Sequence, residues 1–383
     1  MTGGAFDTTV WRVVGDPLVA GEPAGPLAGE TVAVKDLYAV AGHAVGAGNP
    51  TWLESAPVEA EHAAVVTALL EAGASVAGIA RTDEFAYSLA GTNHHYGTAP
   101  NPAAPGRIPG GASCGPASAV ALGHATIGLG TDTAGSVRVP AAYQGLFGIR
   151  TTHDALPRGG LMPLAPTFDT VGWLTRDPDL LLRVGEALLP RPREDGSDDL
   201  VVAPELLLLA EPDVREAIAA WLPPTAAVEW PVDVLPSWLA AFQTWQAWEA
   251  WQAHGWWLAQ RMDVLGPDVR SRFERARSVT SAEADTAAEV VLRARSDIRE
   301  LVGRAVLVLP SAPTVAPELG PGLADRLLEV RQATLSLTCL AGLGGLPAVN
   351  VPLRTRHGLP CGVSLLAAPG RDLDLLRMAR DLW

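Results

Sequence analysis

Short apolar runs alternate with segments of helical periodicity along the first third of the chain. Residues 31–36 form a β-branched and apolar run, which predicts a buried strand. Apolar positions recur at helical spacing over 61–72, before Gly73, and a second strand-like run covers 75–80. This order of strand, helix and strand predicts an α/β sheet. About the first 25 residues are rich in Gly, Pro and Ala, which predicts a loop or arm leading into it.

Two glycine-rich segments flank a short helix in the next part of the chain. Residues 91–115 are too long and too rich in Gly, Asn and Pro for a hairpin turn, and long ordered loops tend to carry function. The small apolar residues of 116–125 predict a tightly packed helix that starts with a proline. Residues 126–130 predict a strand that enters the second loop, 131–140. We therefore expect the two loops to face each other.

The second half of the chain has a different texture. Residues 178–235 contain less glycine and include an acidic and proline-rich patch at 191–199, which favours an insertion or a domain edge. Half of the 12 tryptophans lie within 238–258, several of them on one helix face. They form either core or subunit contacts, or the wall of a substrate pocket. The remaining predicted elements are a helix with a capping box over 280–302 and strand-like runs at 306–309, 346–353 and 361–366.

Composition narrows the classes of protein. At 383 residues, with 48% hydrophobic and 18% charged residues, the chain can bury a large core. A net charge of −14 argues against nucleic acid or an anionic membrane as partner. Without an apolar stretch of about 18 residues or a cationic start followed by an apolar run, we expect neither membrane spanning nor secretion. The three cysteines, Cys114, Cys339 and Cys361, predict reduced thiols and a cytoplasmic location.

Lys35 is the only lysine of the chain, since 27 of the 28 Lys and Arg residues are arginines. Arginine stays protonated in ordinary protein sites, whereas a buried lysine can lose its proton and act as a base. Because Lys35 lies in a predicted buried strand, we expect burial to lower its pKa from about 10.4 towards roughly 7 to 8. The alternative interpretation is a surface lysine without a special role.

Small residues precede a serine in the second glycine-rich loop. The loop begins Gly130-Thr131-Asp132-Thr133-Ala134-Gly135-Ser136. Successive backbone amides in such a run can converge on one point and hold a developing oxyanion. A serine hydroxyl becomes a good nucleophile when a base takes its proton, and lysine is an accepted base in variants of the serine triad. Lys35 and Ser136 therefore form a chemically consistent pair.

These motifs resemble the amidase signature family, whose serine hydrolases use a Ser, cis-Ser, Lys triad on one large α/β sheet. The resembling segments are 32–36, 91–93, 96–97, 101–102, 109–116, 130–141, 310–313 and 344–352. Two further stretches, 46–52 and 168–173, look most like the short amidases that include indole-3-acetamide hydrolases. The resemblance implies an α/β fold with a single large mixed β-sheet flanked by helices. It further implies one amidase domain over 1–383, with a helical insertion at about 178–305.

The resemblance also implies roles for individual residues. Ser136 is the expected nucleophile and Lys35 the expected base. The expected oxyanion hole consists of the backbone amides of Thr133, Ala134, Gly135 and Ser136. The expected substrate contacts are Ser113, Arg138 and Asn93. Arg138 has an alternative role in ordering the loop, and Asp132 is expected to accept loop hydrogen bonds rather than act as a catalytic acid.

The resemblance breaks at the cis-serine. The family places this residue 24 positions before the nucleophile, which here is Ala112. The hydroxyl that would connect Lys35 to Ser136 is therefore missing, and losing a proton relay costs about 10²- to 10⁴-fold in rate. Three explanations stay open: a deliberate substitution that lets a substrate complex survive, a natural homologue that has lost hydrolysis, or a relay through Ser113 or water.

Other reactive residue types have a structural interpretation. Cys114 could serve as a nucleophile, but its position beside a tight glycine turn favours a small packed residue. His94 and His95 have no Cys or carboxylate at metal-ligand spacing, which favours a loop or pocket-edge role. We expect no metal and no cofactor.

The predicted function is therefore hydrolysis of a small carboxamide, with an aryl or indolyl amide as a plausible substrate and with activity impaired by Ala112. One alternative is an acyltransferase that forms an amide or ester from the same acyl-enzyme. Another is a catalytically silent binding or scaffold protein, as the resemblance to amidase-like domains of some import receptors allows. The expected partner is a small-molecule amide, and a homodimer is compatible with the sequence.

Overall fold

Strands and helices alternate along the first half of the structure, a computed structural model that describes residues 6–190 and 196–383. The strands are β1 (Trp11–Val19), β2 (Thr31–Lys35), β3 (Ser75–Ala80), β4 (Thr92–Asn93), β5 (Gly97–Thr98), β6 (Ile127–Asp132), β7 (Phe147–Arg150), β8 (Thr170–Thr175), β9 (Leu200–Val202), β10 (Ala226–Ala227), β11 (Val306–Pro310), β12 (Ala348–Arg354) and β13 (Pro360–Leu366). The helices are α1 (Pro50–Ser55), α2 (Ala64–Glu71), α3 (Cys114–Ala121), α4 (Arg138–Gln144), α5 (Pro178–Leu188), α6 (Pro204–Leu207), α7 (Pro212–Trp221), α8 (Leu235–Leu258), α9 (Pro267–Ser278), α10 (Ser281–Val302), α11 (Leu323–Gly344) and α12 (Asp372–Asp381).

One large mixed sheet organises these elements. Its 11 strands lie in the order β1-β3-β2-β6-β8-β7-β12-β13-β11-β9-β10. Neighbours around β2 and β9 run parallel, whereas the central pairs from β6 to β11 are antiparallel. The predicted fold class, a single large mixed β-sheet flanked by helices, is confirmed. Among the described residues, no helix is long and apolar enough to cross a membrane.

The N-terminal prediction needs a correction. Instead of forming only a loop or arm, residues 11–19 form β1, which pairs antiparallel with β3. The register shifts twice along this pair, and the middle of β1 is exposed. An irregular edge strand that contains Gly15 and Pro17 lacks a regular alternation of apolar residues, so its sequence pattern resembles a loop.

Two helix starts also differ from the prediction. The helix expected over 61–72 begins only at Ala64, because the backbone of Ala63 is not helical, with ψ at 145°. The helix expected from 116 already begins at Cys114, with Pro116 inside its first turn, where a missing N–H costs no helical hydrogen bond.

The two faces of the sheet bury different clusters, and this places Lys35. In β2, Val32 and Val34 pack into a cluster that also contains apolar residues of α2, α5 and α12, whereas Ala33 belongs to a separate cluster. Side chains alternate along a strand, so Lys35 points to the same face of the sheet as Ala33.

The helical layer formed by α8, α9, α10 and α11 packs near the second glycine-rich loop. One hydrophobic cluster joins Phe242 of α8 and Leu335 of α11 to Ala112 and Ala134. The tryptophans of α8 contribute mainly to packing: Trp238 and Trp257 are buried in this cluster, and Trp256 is exposed.

The segment expected as a helical insertion, 178–305, contains α5 to α10. It also contributes β9 and β10 to the edge of the main sheet. We therefore propose that it is an integral part of one domain. The acidic, proline-rich patch expected at 191–199 lies partly outside the described residues, which resume at 196.

The predicted capping box at the start of α10 is confirmed, and it provides a test of local stability. The Thr280 hydroxyl accepts a hydrogen bond from the third backbone amide of the helix at 3.2 Å. Thr280→Ala leaves this amide without its partner, so we expect the free energy of unfolding in urea to fall by about 1 kcal/mol.

The matched control is Thr286→Ala in the exposed middle of the same helix, where the hydroxyl only donates to the Ala282 carbonyl. We expect this variant to stay within about 0.5 kcal/mol of the parent protein. Equal losses in the two variants would show that the cap contributes nothing specific.

Candidate active site

Lys35 ends β2 and carries its amine into the interior of the protein. Its side chain is 0% exposed. Nζ donates to Thr131 Oγ1 at 2.7 Å and to Ser113 Oγ at 3.1 Å. Within the described chain, no hydrogen bond joins Lys35 to Ser136. Lys35 is therefore not a surface residue, and its contacts lead to two hydroxyls of the glycine-rich loops.

Burial lowers the pKa of Lys35 from 10.5 to about 8, because desolvation disfavours the charged ammonium. The acidic groups of Cys114, Asp83 and Asp132 oppose this shift without cancelling it. The direction agrees with the expectation from the sequence. A lysine with such a pKa is neutral in about one molecule in ten at one pH unit below it, which is enough to serve as a base.

Asp132 shapes the loop that carries Ser136. Its fully buried carboxylate accepts hydrogen bonds from the backbone amides of Gly135 at 2.9 Å and Val137 at 3.2 Å. The Arg138 side chain binds the same carboxylate with Nε at 3.0 Å and Nη2 at 2.9 Å. Asp132 therefore acts as a loop-fixing acceptor in this structure.

A second arginine completes this buried ion cluster. Arg150 of β7 approaches Asp132 Oδ1 at 3.3 Å and donates through Nη2 to the Phe168 carbonyl at 2.9 Å. Burial by itself raises the pKa of Asp132, but the charges of Arg138 and Arg150 and the hydrogen bonds outweigh it, so the net pKa lies below the ordinary value. The carboxylate remains ionised at neutral pH and is unsuited to act as a proton donor.

The four backbone amides expected to form the oxyanion hole differ in whether they already have a hydrogen-bond acceptor. The Gly135 amide, one of the expected oxyanion donors, is bound to Asp132. In residues 6–190 and 196–383, no acceptor is hydrogen-bonded to the amides of Thr133, Ala134 and Ser136. These three residues also line one cavity. Three of the four expected amides are thus available to a ligand.

The first glycine-rich loop places Ala112 beside this site. The peptide bond between Gly111 and Ala112 is cis. The Ala112 carbonyl accepts from the Thr82 hydroxyl at 3.0 Å, and its methyl group is fully buried. The next residue, Ser113, donates its backbone amide to the Ser136 carbonyl at 3.2 Å. The two loops therefore face each other, as the sequence predicted.

A narrow cavity opens at Ser136. Its lining comes from both the nucleophile loop and the helical layer. The lining residues are Ala86, Tyr87, Ser88, Leu89, Thr133, Ala134, Ser136, Leu164, Gln246, Arg272, Arg331 and Leu335. No tryptophan of the described chain lines it, so the interpretation of the Trp-rich helix as packing is favoured over a pocket wall.

The residues expected to bind substrate lie outside this cavity. Ser113 is fully buried between Lys35 and Thr131, and Arg138 is bound to Asp132 and to the Thr338 carbonyl. Asn93 donates to the carbonyls of Gly48 and Thr82 instead. For Arg138, the structure favours the role of ordering the loop. These three side chains support the site without lining the cavity.

Sequence reasoning missed the polar residues of the cavity. Gln246 lies four residues from buried Phe242 and Ala250 in α8, so a polar residue in an apolar helix stripe was an available signal. Arg331 precedes Leu335 by one turn of α11, a helix that the sequence analysis did not assign. No local pattern distinguishes Arg331 from the other arginines.

Cys114 and His95, two alternative reactive residues, have structural roles in the described chain. Cys114 is buried, and burial raises the pKa of its thiol well above the ordinary value, so it is a packed residue rather than an activated nucleophile. His95 Nε2 contacts Glu84 at 2.7 Å in a part-buried network. Over the part of the chain that the structure describes, no group of three or more His, Cys, Asp or Glu side chains could hold a metal ion.

Comparisons with known proteins agree with this geometry. "Amidase 1" of Arabidopsis thaliana is 34% identical over 100% of this chain and 99% of that protein. "Translocon at the outer membrane of chloroplasts 64" of Pisum sativum is 32% identical over 94% of this chain and 66% of that protein. A solved structure described as "Crystal structure of amidase" has a TM-score of 0.83 at 28% identity and covers 93% of this chain and 84% of that one.

The family comparison covers the segment that holds Lys35, Ala112 and Ser136. The model of the Amidase family matches residues 15–206, which is half of the chain, and the similarity to Arabidopsis thaliana Amidase 1 extends over its whole length. The chain belongs to the amidase family.

Proposed function

We propose that the protein hydrolyses a small carboxamide through an acyl-enzyme on Ser136, with Lys35 as the base. One observation carries this proposal: a fully buried lysine with a pKa of about 8 contacts the two loops that hold Ser136 at a cavity. Membership of the amidase family supports amide hydrolysis as the reaction class.

The proposed reaction has two halves. Ser136 Oγ attacks the amide carbon while its proton passes to neutral Lys35, and the amides of Thr133, Ala134 and Ser136 hold the negative oxygen. Collapse of the tetrahedral intermediate breaks the C–N bond, and the proton from Lys35 leaves with ammonia or an amine. Water then attacks the ester, its proton returns by the same route, and a carboxylic acid is released.

Ala112 interrupts the proton route of this mechanism. The hydroxyls that contact Lys35 belong to Ser113 and Thr131. Ser113 Oγ donates to the Thr131 carbonyl at 3.2 Å, so its proton is directed away from Ser136. We therefore propose that the chain reacts slowly and that a hydroxyl at position 112 would connect Lys35 to Ser136.

The cavity favours a small substrate. It is narrow, with room for few atoms beside Ser136. Tyr87 is its aromatic lining residue among the described residues, and the tryptophans of α8 lie elsewhere. We propose a small amide as substrate and assign no preference for an indole ring.

Two features bear on the location of the protein and on a second candidate function. The three free, buried cysteines support the proposal of a reducing compartment such as the cytoplasm. The similarity to a chloroplast outer-membrane translocon component supports, as the second candidate function, a scaffold without catalysis. Ala112 is the feature of the chain that favours this second candidate.

Restoring the hydroxyl tests the proposed mechanism. We expect Ala112→Ser to raise ammonia release from a panel of primary amides by about 10²- to 10⁴-fold, because a positioned relay contributes this much to proton transfer. The double variant with Ser136→Ala should lose the whole gain, which ties the activity to the nucleophile.

A folded Ala112→Ser variant that releases no ammonia and is not labelled at Ser136 by a serine-directed reagent would favour the scaffold. Transfer of the acyl group to an added amine in preference to water would favour an acyltransferase. Product analysis by mass spectrometry separates these results.

The pH dependence of Ala112→Ser tests the role of Lys35. Only neutral Lys35 accepts a proton, and its pKa is lowered to about 8. We therefore expect kcat/KM to rise about tenfold per pH unit below pH 8 and to level off above it. Lys35→Arg should abolish the activity, because arginine stays protonated in this range. A flat profile between about pH 6 and 9 would rule out this assignment of the base.

A further inference from the structure

The cavity at Ser136 is lined by three polar side chains that the proposed catalytic steps do not use. Gln246 of α8, Arg272 of α9 and Arg331 of α11 contribute to its lining. The lining set contains no Asp or Glu among the described residues. A substrate group that faces these side chains therefore meets an amide and positive charge, part of which is offset by Asp268 beside Arg272.

The charge of Arg272 is already compensated. Its Nη2 donates to both oxygens of Asp268, at 2.8 and 2.7 Å, and its Nη1 donates to the Tyr87 carbonyl. Asp268 therefore neutralises Arg272, and little of this charge is left for a ligand.

Arg331 has no such partner. It is half-buried, and it forms neither a hydrogen bond nor an ion pair with any residue of 6–190 or 196–383. Burial, helped by the charge of Arg272, lowers the pKa of Arg331 to about 10, so the guanidinium remains charged at neutral pH. Among the described residues, Arg331 is not one whose polar atoms are buried without a partner, so its guanidinium reaches the cavity and can bind an anionic ligand there.

Gln246 provides a second, independent observation. Its side chain is only 6% exposed, and it faces the same cavity. Across the described chain, its amide group has no hydrogen-bond partner. Its amide atoms are not among the fully buried polar atoms that lack a partner in the described structure, so they open onto the cavity and are available to a ligand.

We propose that this subsite binds the carboxylate of the substrate, which makes the substrate a monoamide of a short dicarboxylic acid. Arg331 supplies the charge and a two-pronged set of donors, and the Gln246 amide donates to the same carboxylate. The amide carbon then lies at Ser136, at the other side of the cavity. The narrow cavity favours a short spacer between the two groups.

This inference rests on the proposed function for its orientation, but its test uses binding. The probes are 4-amino-4-oxobutanoate and 4-oxopentanamide, which share the amide and spacer and differ in carboxylate against methyl ketone. Calorimetry with the Ser136→Ala protein measures both dissociation constants without turnover. We expect the carboxylate probe to bind about 10- to 100-fold more tightly, as for a hydrogen bond to a charged group, and to lose part of this advantage at high salt.

Variants of the arginine locate the preference. Arg331→Gln should remove it, and Arg331→Lys should retain part of it, since the charge remains without the planar donor pair. Gln246→Leu should weaken binding of the carboxylate probe to a smaller degree. The control is Arg293→Gln, which removes an equal charge from a side chain that is 67% exposed on α10; we expect no change.

Turnover of the Ala112→Ser protein separates the two proposals. There, Arg331→Gln should raise KM for the carboxylate amide with little change in kcat, and leave both constants for the neutral amide unchanged. Equal affinity for the two probes, or a preference that survives in a folded Arg331→Gln protein, would overturn the subsite. A clear binding preference with no hydrolysis of either amide would contradict the proposed function and leave the subsite intact.

Discussion

The buried carboxylate of Asp132 is the interaction on which the geometry of the site depends. At the end of β6 it binds two backbone amides of the nucleophile loop at 2.9 and 3.2 Å, and it pairs with Arg138 and Arg150. Removing one partner from a buried ion pair typically costs about 3–5 kcal/mol, so this cluster strongly constrains the loop. Because Asp132 occupies the Gly135 amide, the neighbouring amides and Ser136 are left facing the cavity.

The pKa and the contacts of Lys35 depend on a different constraint, which is the burial of its side chain away from water. The parallel pairing of β2 with β3 and β6 holds its backbone, and alternation along the strand turns its side chain to the face opposite Val32 and Val34. The same burial that lowers its pKa also restricts its contacts to Thr131 and Ser113. With a methyl group at Ala112, Lys35 of β2 and Ser136 of the following glycine-rich loop are not connected by hydrogen bonds in the described structure.

The residues proposed for catalysis and those proposed to bind the substrate come from different parts of the chain. Lys35, the proposed base, lies on β2, Asp132 ends β6, and Ser136, the proposed nucleophile, lies on the loop that follows β6. The polar lining of the cavity comes from α8, α9 and α11, which pack over that loop through a shared hydrophobic cluster.

Sequence by itself determined the family and the main elements of the sheet, because both rest on motifs and patterns of contiguous residues. Residues 31–36 and 75–80 show strand patterns. The segment from Gly130 to Ser136 contains the Asp132 carboxylate, the backbone amides of the expected oxyanion hole and the proposed nucleophile. Local pattern was less informative at β1, whose bulged edge pairing obscures its periodicity. Local pattern was uninformative for the cavity wall, because only the packing of distant helices brings Gln246 and Arg331 to the cavity at Ser136. The inward position of the Arg138 side chain against Asp132 was likewise not readable from the local pattern. Tertiary structure decided these placements, because burial and charge pairing across the sheet depend on long-range contacts that no local periodicity encodes.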